Sequence, residues 1–137
     1  MLVGVISDTH GLLRPEAIAA LSGSDLIVHA GDIGRREVIE RLRDLAPTYA
    51  VRGNIDIQPW ARKLPVTAVV RAGRHRLLVL HDISQLAVDP VCAGTVPSCS
   101  VIRIAPRPRV GTGYCYSILA APVRAGSAYQ SRWRGSR

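Results

Sequence analysis

The chain has 137 residues, 47% of them hydrophobic, with 18 Lys and Arg against 10 Asp and Glu for a net charge of +8. That length bounds it to one compact domain with a modest core, and an odd count of three cysteines, all beyond residue 91, indicates no disulfide framework. No apolar run approaches a membrane span and the N-terminus lacks the basic start of a signal peptide, so the expected compartment is the cytoplasm, with no membrane contact.

Leu2 to Ile6 reads as a buried parallel strand. A helix over Pro15 to Leu21 follows, with proline in the first turn, where its missing amide costs nothing, and Ala17, Ile18 and Leu21 on its apolar face. Asp25 to Val28 reads as a second strand. A second helix from Arg35 to Leu45 places Val38, Ile39, Leu42 and Leu45 on one face, with Arg36, Glu40 and Arg43 directed outward. Thr48 to Val51 is a third strand, which completes a βαβαβ unit with right-handed crossovers. Beyond Pro59 and Trp60, the runs Val66 to Arg71 and His75 to Leu80 flank Ala72-Gly73-Arg74 and read as a hairpin. Trp60 is expected to pack under a loop, and His75 to sit solvated in the hairpin turn.

Polar clusters stand where these strands end: Ser7-Asp8-Thr9-His10-Gly11, His29-Ala30-Gly31-Asp32, Gly53-Asn54-Ile55-Asp56 and His81-Asp82. In open α/β sheets that edge is where ligands bind. Carboxylate, imidazole and amide groups converging there suit borderline-hard divalent ions, whereas a zinc finger would need clustered thiolates. Each cluster also has an ordinary reading. Asp8-Thr9 would serve as a helix N-cap, Gly31-Asp32 and Gly53-Asn54 are common turns, and His81 alone would be structural. His29 is either a buried support for the Asp32 carboxylate or a core histidine satisfied by backbone, and stays outside the ligand set. The joint occurrence at successive strand ends is what points to a metal site.

In order, Ile6-Ser-Asp-Thr-His-Gly11, Gly31-Asp32, Gly53-Asn54-Ile-Asp56 and His81 resemble the calcineurin-like metallophosphoesterase superfamily, in its small prokaryotic phosphodiesterase branch. The resemblance covers about the first two thirds of the chain. It implies a metallophosphoesterase-type α/β sandwich in which Asp8 and His10 bind one metal, Asp32 bridges both, and Asn54 and His81 bind the second. The implied cofactors are two divalent ions, Mn foremost, with Fe, Zn or Ni as alternatives. The implied reaction is hydrolysis of phosphodiesters or phosphomonoesters, with hydroxide generated from a water between the ions. Asn54, and more weakly Arg14 or Arg35, would touch the substrate phosphate. Where larger relatives carry a histidine after Gly-Asn to protonate the leaving group, this chain has Ile55, so the general acid is unassigned. His81-Asp82 also departs from the commoner His-Gly.

The family's remaining ligands, a Gly-His-x-His pair followed by Asn-Pro-Gly-Ser, are missing, and no histidine follows His81. Composition changes near residue 91. Residues 1–91 carry 11 Lys and Arg against 10 Asp and Glu, whereas residues 92–137 carry 7 Arg and no acid. The division is therefore an incomplete metallophosphoesterase core over 1–91 and a basic, irregular tail over 92–137. That tail reads as the out-of-frame translation of a family C-terminus. If Val101-Ile-Arg-Ile104 is written GTC ATT CGC ATC after a codon ending in G, reading one base earlier gives Gly-His-Ser-His. The same frame allows Tyr116 to Val123 to encode Phe-Asn-Pro-Gly-Ser-Ala-Gly. The shift would begin near Val96. The chain as written is then an impaired enzyme. The competing view is a catalytically inactive remnant that binds phosphate, or binds nucleic acid through a basic arm bearing Arg107, Arg109, Arg132, Trp133 and Arg134.

Overall fold

A computed structural model describes residues 1–73, 75–82 and 84, and the backbone of two further strands at 99–102 and 116–120. The elements run β1 (Leu2–Ile6), α1 (Pro15–Leu21), β2 (Leu26–Ala30), α2 (Arg36–Arg43), β3 (Thr48–Val51), a 3-10 turn (Ala61–Lys63), β4 (Thr67–Ala72), β5 (His75–Leu80), β6 (Cys99–Ile102) and β7 (Tyr116–Ala120). They form two sheets, ordered β3-β2-β1-β7 and β4-β5-β6.

Alternation along β1 sends its side chains to two cores. Val3 and Val5 pack with Leu26, Val28, Val51, Val70, Leu77 and Val79, so one core fills the space between the sheets. Ile6 joins Leu13, Ala17, Leu21, Ile27, Val38, Ile39 and Leu42 on the other face, under the helices. The result is a helix layer, a sheet and a second sheet, the expected α/β sandwich. The parallel pairs β1·β2 and β2·β3 put the C-terminal ends of three strands along one edge, and His81 follows β5 directly.

The expected and observed elements differ in informative ways. Helix α1 starts at Pro15 with Arg14 as its N-cap, so Asp8 and Thr9 do not cap it. Strand β3 lies at a sheet edge and exposes Tyr49, whereas its sequence alone suits a strand as buried as β1. His75 is the first residue of β5 and half-buried, not a solvated turn residue, because β4 and β5 pair as far as Ala72 and His75. Arg74 in that turn lies outside the described residues. Trp60 packs against the helix-side core. Two segments of the expected irregular tail are strands: β6 runs parallel to β5 and β7 antiparallel to β1. The remainder of residues 85–137, including the arginines and Trp133 of the basic arm, lies outside the described residues. Among those described, no helix is long and apolar enough to cross a membrane.

Candidate metal centre

Beyond β1 and β2 the two loops stay laced together. Asp8 N–H donates to the Gly31 carbonyl (3.0 Å), His10 N–H to Asp32 (3.0 Å) and Gly11 N–H to Ile33 (2.7 Å). The approach is so close that a Cβ at Gly34 would lie 2.5 Å from the Gly11 nitrogen. Among the described residues, three non-glycine residues have left-handed φ: Asp8 (56°), His10 (47°) and Asp32 (55°). Such backbone is uncommon in any residue but glycine, even though Asn, Asp and His tolerate it better than others, and it concentrates at functional sites. All three belong to the expected ligand set.

The third loop is held by two carboxylates. A Cβ at Gly53 would lie 2.0 Å from Asp32 Oδ1, so only glycine fits there. The Asp56 carboxylate, 3% exposed, accepts from the N–H groups of Ile33 (3.1 Å), Gly34 (2.9 Å) and Gly53 (2.8 Å). It therefore clamps the Asp32 loop to the Asn54 loop. Sequence reasoning noticed Asp56 only as a member of its cluster. Its spacing to Gly53 was the available signal, and its reach to Ile33 and Gly34 was not legible.

The structure brings Asp8, Asp32 and His81 together, with one donor atom of each within 4.8 Å of the others. His10 Nε2 lies 4.0 Å from both Asp8 Oδ1 and Asp32 Oδ2, and His81 Nε2 lies 3.4 Å from Asp32 Oδ1. The two oxygens of Asp32 thus face different histidines. His81 Nδ1–H donates to the Ala30 carbonyl (2.8 Å), which leaves the Nε2 lone pair aimed at a carboxylate. Two donors about 2.1 Å from one cation sit roughly 3.4 Å apart at the tetrahedral angle, so this pair fits a shared divalent ion. An imidazole oriented by a backbone carbonyl is also the usual arrangement for a metal ligand. The Ser7 hydroxyl donates to the Asp8 carboxylate and steadies it.

His29 is fully buried and both ring nitrogens are engaged. Thr9 Oγ1 spends its only proton on the Ile33 carbonyl (3.0 Å), so at its 2.9 Å contact with His29 it accepts from Nε2–H. Nδ1 then accepts from Gly31 N–H (3.2 Å). The ring supports the loops through Thr9 and Gly31, with no hydrogen bond to Asp32 among those found. Burial pushes its pKa from the ordinary 6.5 down to about 3, partly opposed by the Asp56 carboxylate and reinforced by His81. The folded chain therefore refuses a proton that the unfolded chain accepts. His29's contribution is intact above pH 6.5 and is lost as pH falls toward 3, by at most ~5 kcal/mol. The variant H29Q should show a flatter loss of stability between pH 7.5 and 5 in urea titrations; a slope equal to that of the parent chain would remove His29 as the cause.

Asn54 is exposed and lines a cleft of about 230 Å³ with Arg52, Gly53, Val66 and His81. Arg14 sits half-buried at the start of α1. Arg35 is nearer to the first loop: a Cβ at Gly11 would meet its Cγ at 2.9 Å. Asp82 is exposed and accepts from Ser84 N–H (2.9 Å), and hydrogen bonds from the Ser84 hydroxyl and N–H hold its carboxyl below the usual range. One of its oxygens is thus engaged by its own turn.

Residues 1–99 match a family model described as the calcineurin-like phosphoesterase superfamily domain. A probable metallophosphoesterase of Methanocaldococcus jannaschii is 46% identical over 68 residues, 46% of this chain and 35% of the relative. The chain thus aligns with about a third of that protein's length. Among solved structures, Vps29 of Chaetomium thermophilum superposes with a TM-score of 0.58 at 22% identity, covering 74% of this chain and 60% of that one. Zinc-complexed Vps29 of Entamoeba histolytica gives 0.53 at 23%, covering 74% and 63%. At these identities both likenesses establish the fold.

Proposed function

Because this chain belongs to the calcineurin-like phosphoesterase superfamily, we propose that it holds a pair of divalent ions and hydrolyses phosphate esters, phosphodiesters foremost. The observation that carries this reading is the placement of Asp32, whose Oδ2 faces His10 while its Oδ1 faces His81. Asp8 completes the first side of the centre, and Asn54, beside His81 in the cleft, completes the second. Two carboxylates, two imidazoles and an amide suit Mn best, with Fe, Zn and Ni compatible.

When bound, the ions would lower the pKa of an attacking water and offset charge growing on the phosphoryl oxygens. The chain supplies the positions. Asp32 spans the two sides, His81 presents Nε2 because Ala30 fixes its other nitrogen, and the exposed Asn54 in the cleft would meet the substrate phosphate. Asp56 is no candidate for protonating the leaving group, because its oxygens accept three backbone N–H groups. The compartment we assign is the cytoplasm.

We infer further that the chain as written is impaired. The family match ends at residue 99, just past Val96, where the alternative frame begins. In β6, Val101 pairs with Leu78 and Ile102 with Val79 on the strand that leads to His81. Gly-His-Ser-His in place of 101–104 would therefore start beside the existing centre. With Mn and bis-p-nitrophenyl phosphate, the chain carrying the alternative-frame tail is expected to exceed the chain as written by about 100-fold or more, since weakening a metal site typically costs at least 10-fold to 100-fold. Equal rates would refute the impairment. No Mn-dependent turnover from either, with steeply salt-dependent RNA binding, would favour the inactive remnant.

A further inference from the structure

Arg52 occupies the position just after β3 and just before the Gly53-Asn54 turn. Its backbone N–H donates to the Pro65 carbonyl (2.9 Å), which fixes the residue at the strand end. It lines the cleft together with Asn54 and His81, both assigned to the second metal position, and with Val66 on the apolar side. Gly53 joins the cleft directly to Asp32, because a Cβ at Gly53 would lie 2.9 Å from the Asp32 Cγ.

Among the described residues, no carboxylate forms an ion pair with the Arg52 guanidinium and no side-chain hydrogen bond engages it, although Arg36 pairs with Glu40 and the Arg62 and Arg71 side chains each find a carbonyl. A half-buried cation with its donors uncommitted, beside a centre built for a phosphate, is placed to receive a second negative charge. The cleft's volume, about 230 Å³, is below the usual range for drug-sized ligands. It suits a compact substituent rather than a bulky one. A guanidinium recognises carboxylate or phosphoryl oxygens through a planar fork that an ammonium cannot reproduce.

We propose that Arg52 selects phosphate esters whose leaving group carries a second oxyanion, held in the cleft while the reacting phosphate sits on the metal centre. This rests on the metal-centre reading of Asp8, Asp32 and His81, and it adds a substrate class to that reading. Arg52 reads the group attached to the phosphate. The general acid is still unassigned, and an anionic leaving group held by a guanidinium is partly stabilised as its ester bond breaks.

The test uses two probes of the same shape around phosphorus, phosphoglycolate and ethyl phosphate, titrated calorimetrically into the full Mn-loaded chain. The parent chain is expected to bind phosphoglycolate about 10-fold or more tightly than ethyl phosphate. In R52Q that ratio should fall to within about twofold of unity, and R52K should recover only part of it, because one point charge replaces a bidentate fork. A parent ratio near unity, or a ratio preserved in R52Q, overturns the assignment of Arg52 while leaving the metal centre intact. A parent chain that binds Mn but neither probe overturns this proposal and leaves the metal centre standing, whereas one that binds no Mn overturns both. Thermal melting of R52Q should match the parent within a few degrees; a collapse in melting together with a preserved ratio would mark Arg52 as purely structural.

Discussion

The variant D32N is expected to lose metal uptake while keeping its fold. Asn tolerates the left-handed backbone at φ 55°, and its carbonyl oxygen keeps the hydrogen bond from Ile55 N–H (3.2 Å). What disappears is the negative charge between His10 and His81. Without it, neither side of the centre retains the carboxylate that both share, and affinity for Mn should fall by about 100-fold or more, beyond the cost of losing a supporting residue. Apo stability should barely move, and a small gain is reasonable, because a carboxylate only 5% exposed is costly to desolvate when no cation accompanies it. Mn paramagnetic resonance on the variant checks the first claim and thermal melting the second. A D32N chain that takes up Mn with parental affinity would disprove the bridging role.

The variant D56A should do the opposite, damaging the fold before the chemistry. Alanine leaves three N–H donors without an acceptor, that of Ile33 buried and those of Gly34 and Gly53 half-buried. Stranded donors cost about 1–3 kcal/mol each, so a loss on the order of 4 kcal/mol is expected, a large share of a typical domain's 5–15 kcal/mol. D56N is the graded comparison. With its oxygen in place of Oδ2 it keeps the bonds from Ile33 and Gly53 but turns its amide group toward Gly34 N–H, so about one bond is lost. Denaturant melts should rank the parent above D56N and D56N above D56A. If D56A unfolds at the parental midpoint, the clamp between the two loops does not hold them.

Much of the scaffold was legible because apolar runs end abruptly in polar residues. Strand β1, helix α1 and strand β3 match their expected bounds. Strand β2 was expected to end at Val28 and continues to Ala30, because His29 looks like a loop residue until its two nitrogens are seen to be satisfied inside the core. The gathering of Asp8, Asp32 and His81 followed from their shared position at strand ends. The left-handed backbone of Asp8, His10 and Asp32 did not, since Asp and His only tolerate that conformation, and neighbouring Gly11, Gly31 and Gly34 were its only trace. Arg52 went unnoticed because a single arginine after a strand has no period and no motif. The strands β6 and β7 were invisible for a different reason: at four and five residues, in a stretch without alternation, they are defined by their pairing with β5 and β1 rather than by their own pattern.

The lacing of the first two loops constrains how such a protein can change over generations. Three main-chain bonds tie Asp8, His10 and Gly11 of one loop to the consecutive residues Gly31, Asp32 and Ile33 of the other, so inserting or deleting a single residue between Ser7 and Gly11 would throw every later partner out of step. Exchanging one donor side chain for another disturbs no such count. Ancestral lineages would therefore be free to trade ion preference, letter by letter, yet nearly barred from altering loop length. Damage confined to later parts of the gene would leave this interlock standing, a relic that outlasts the reaction it once served.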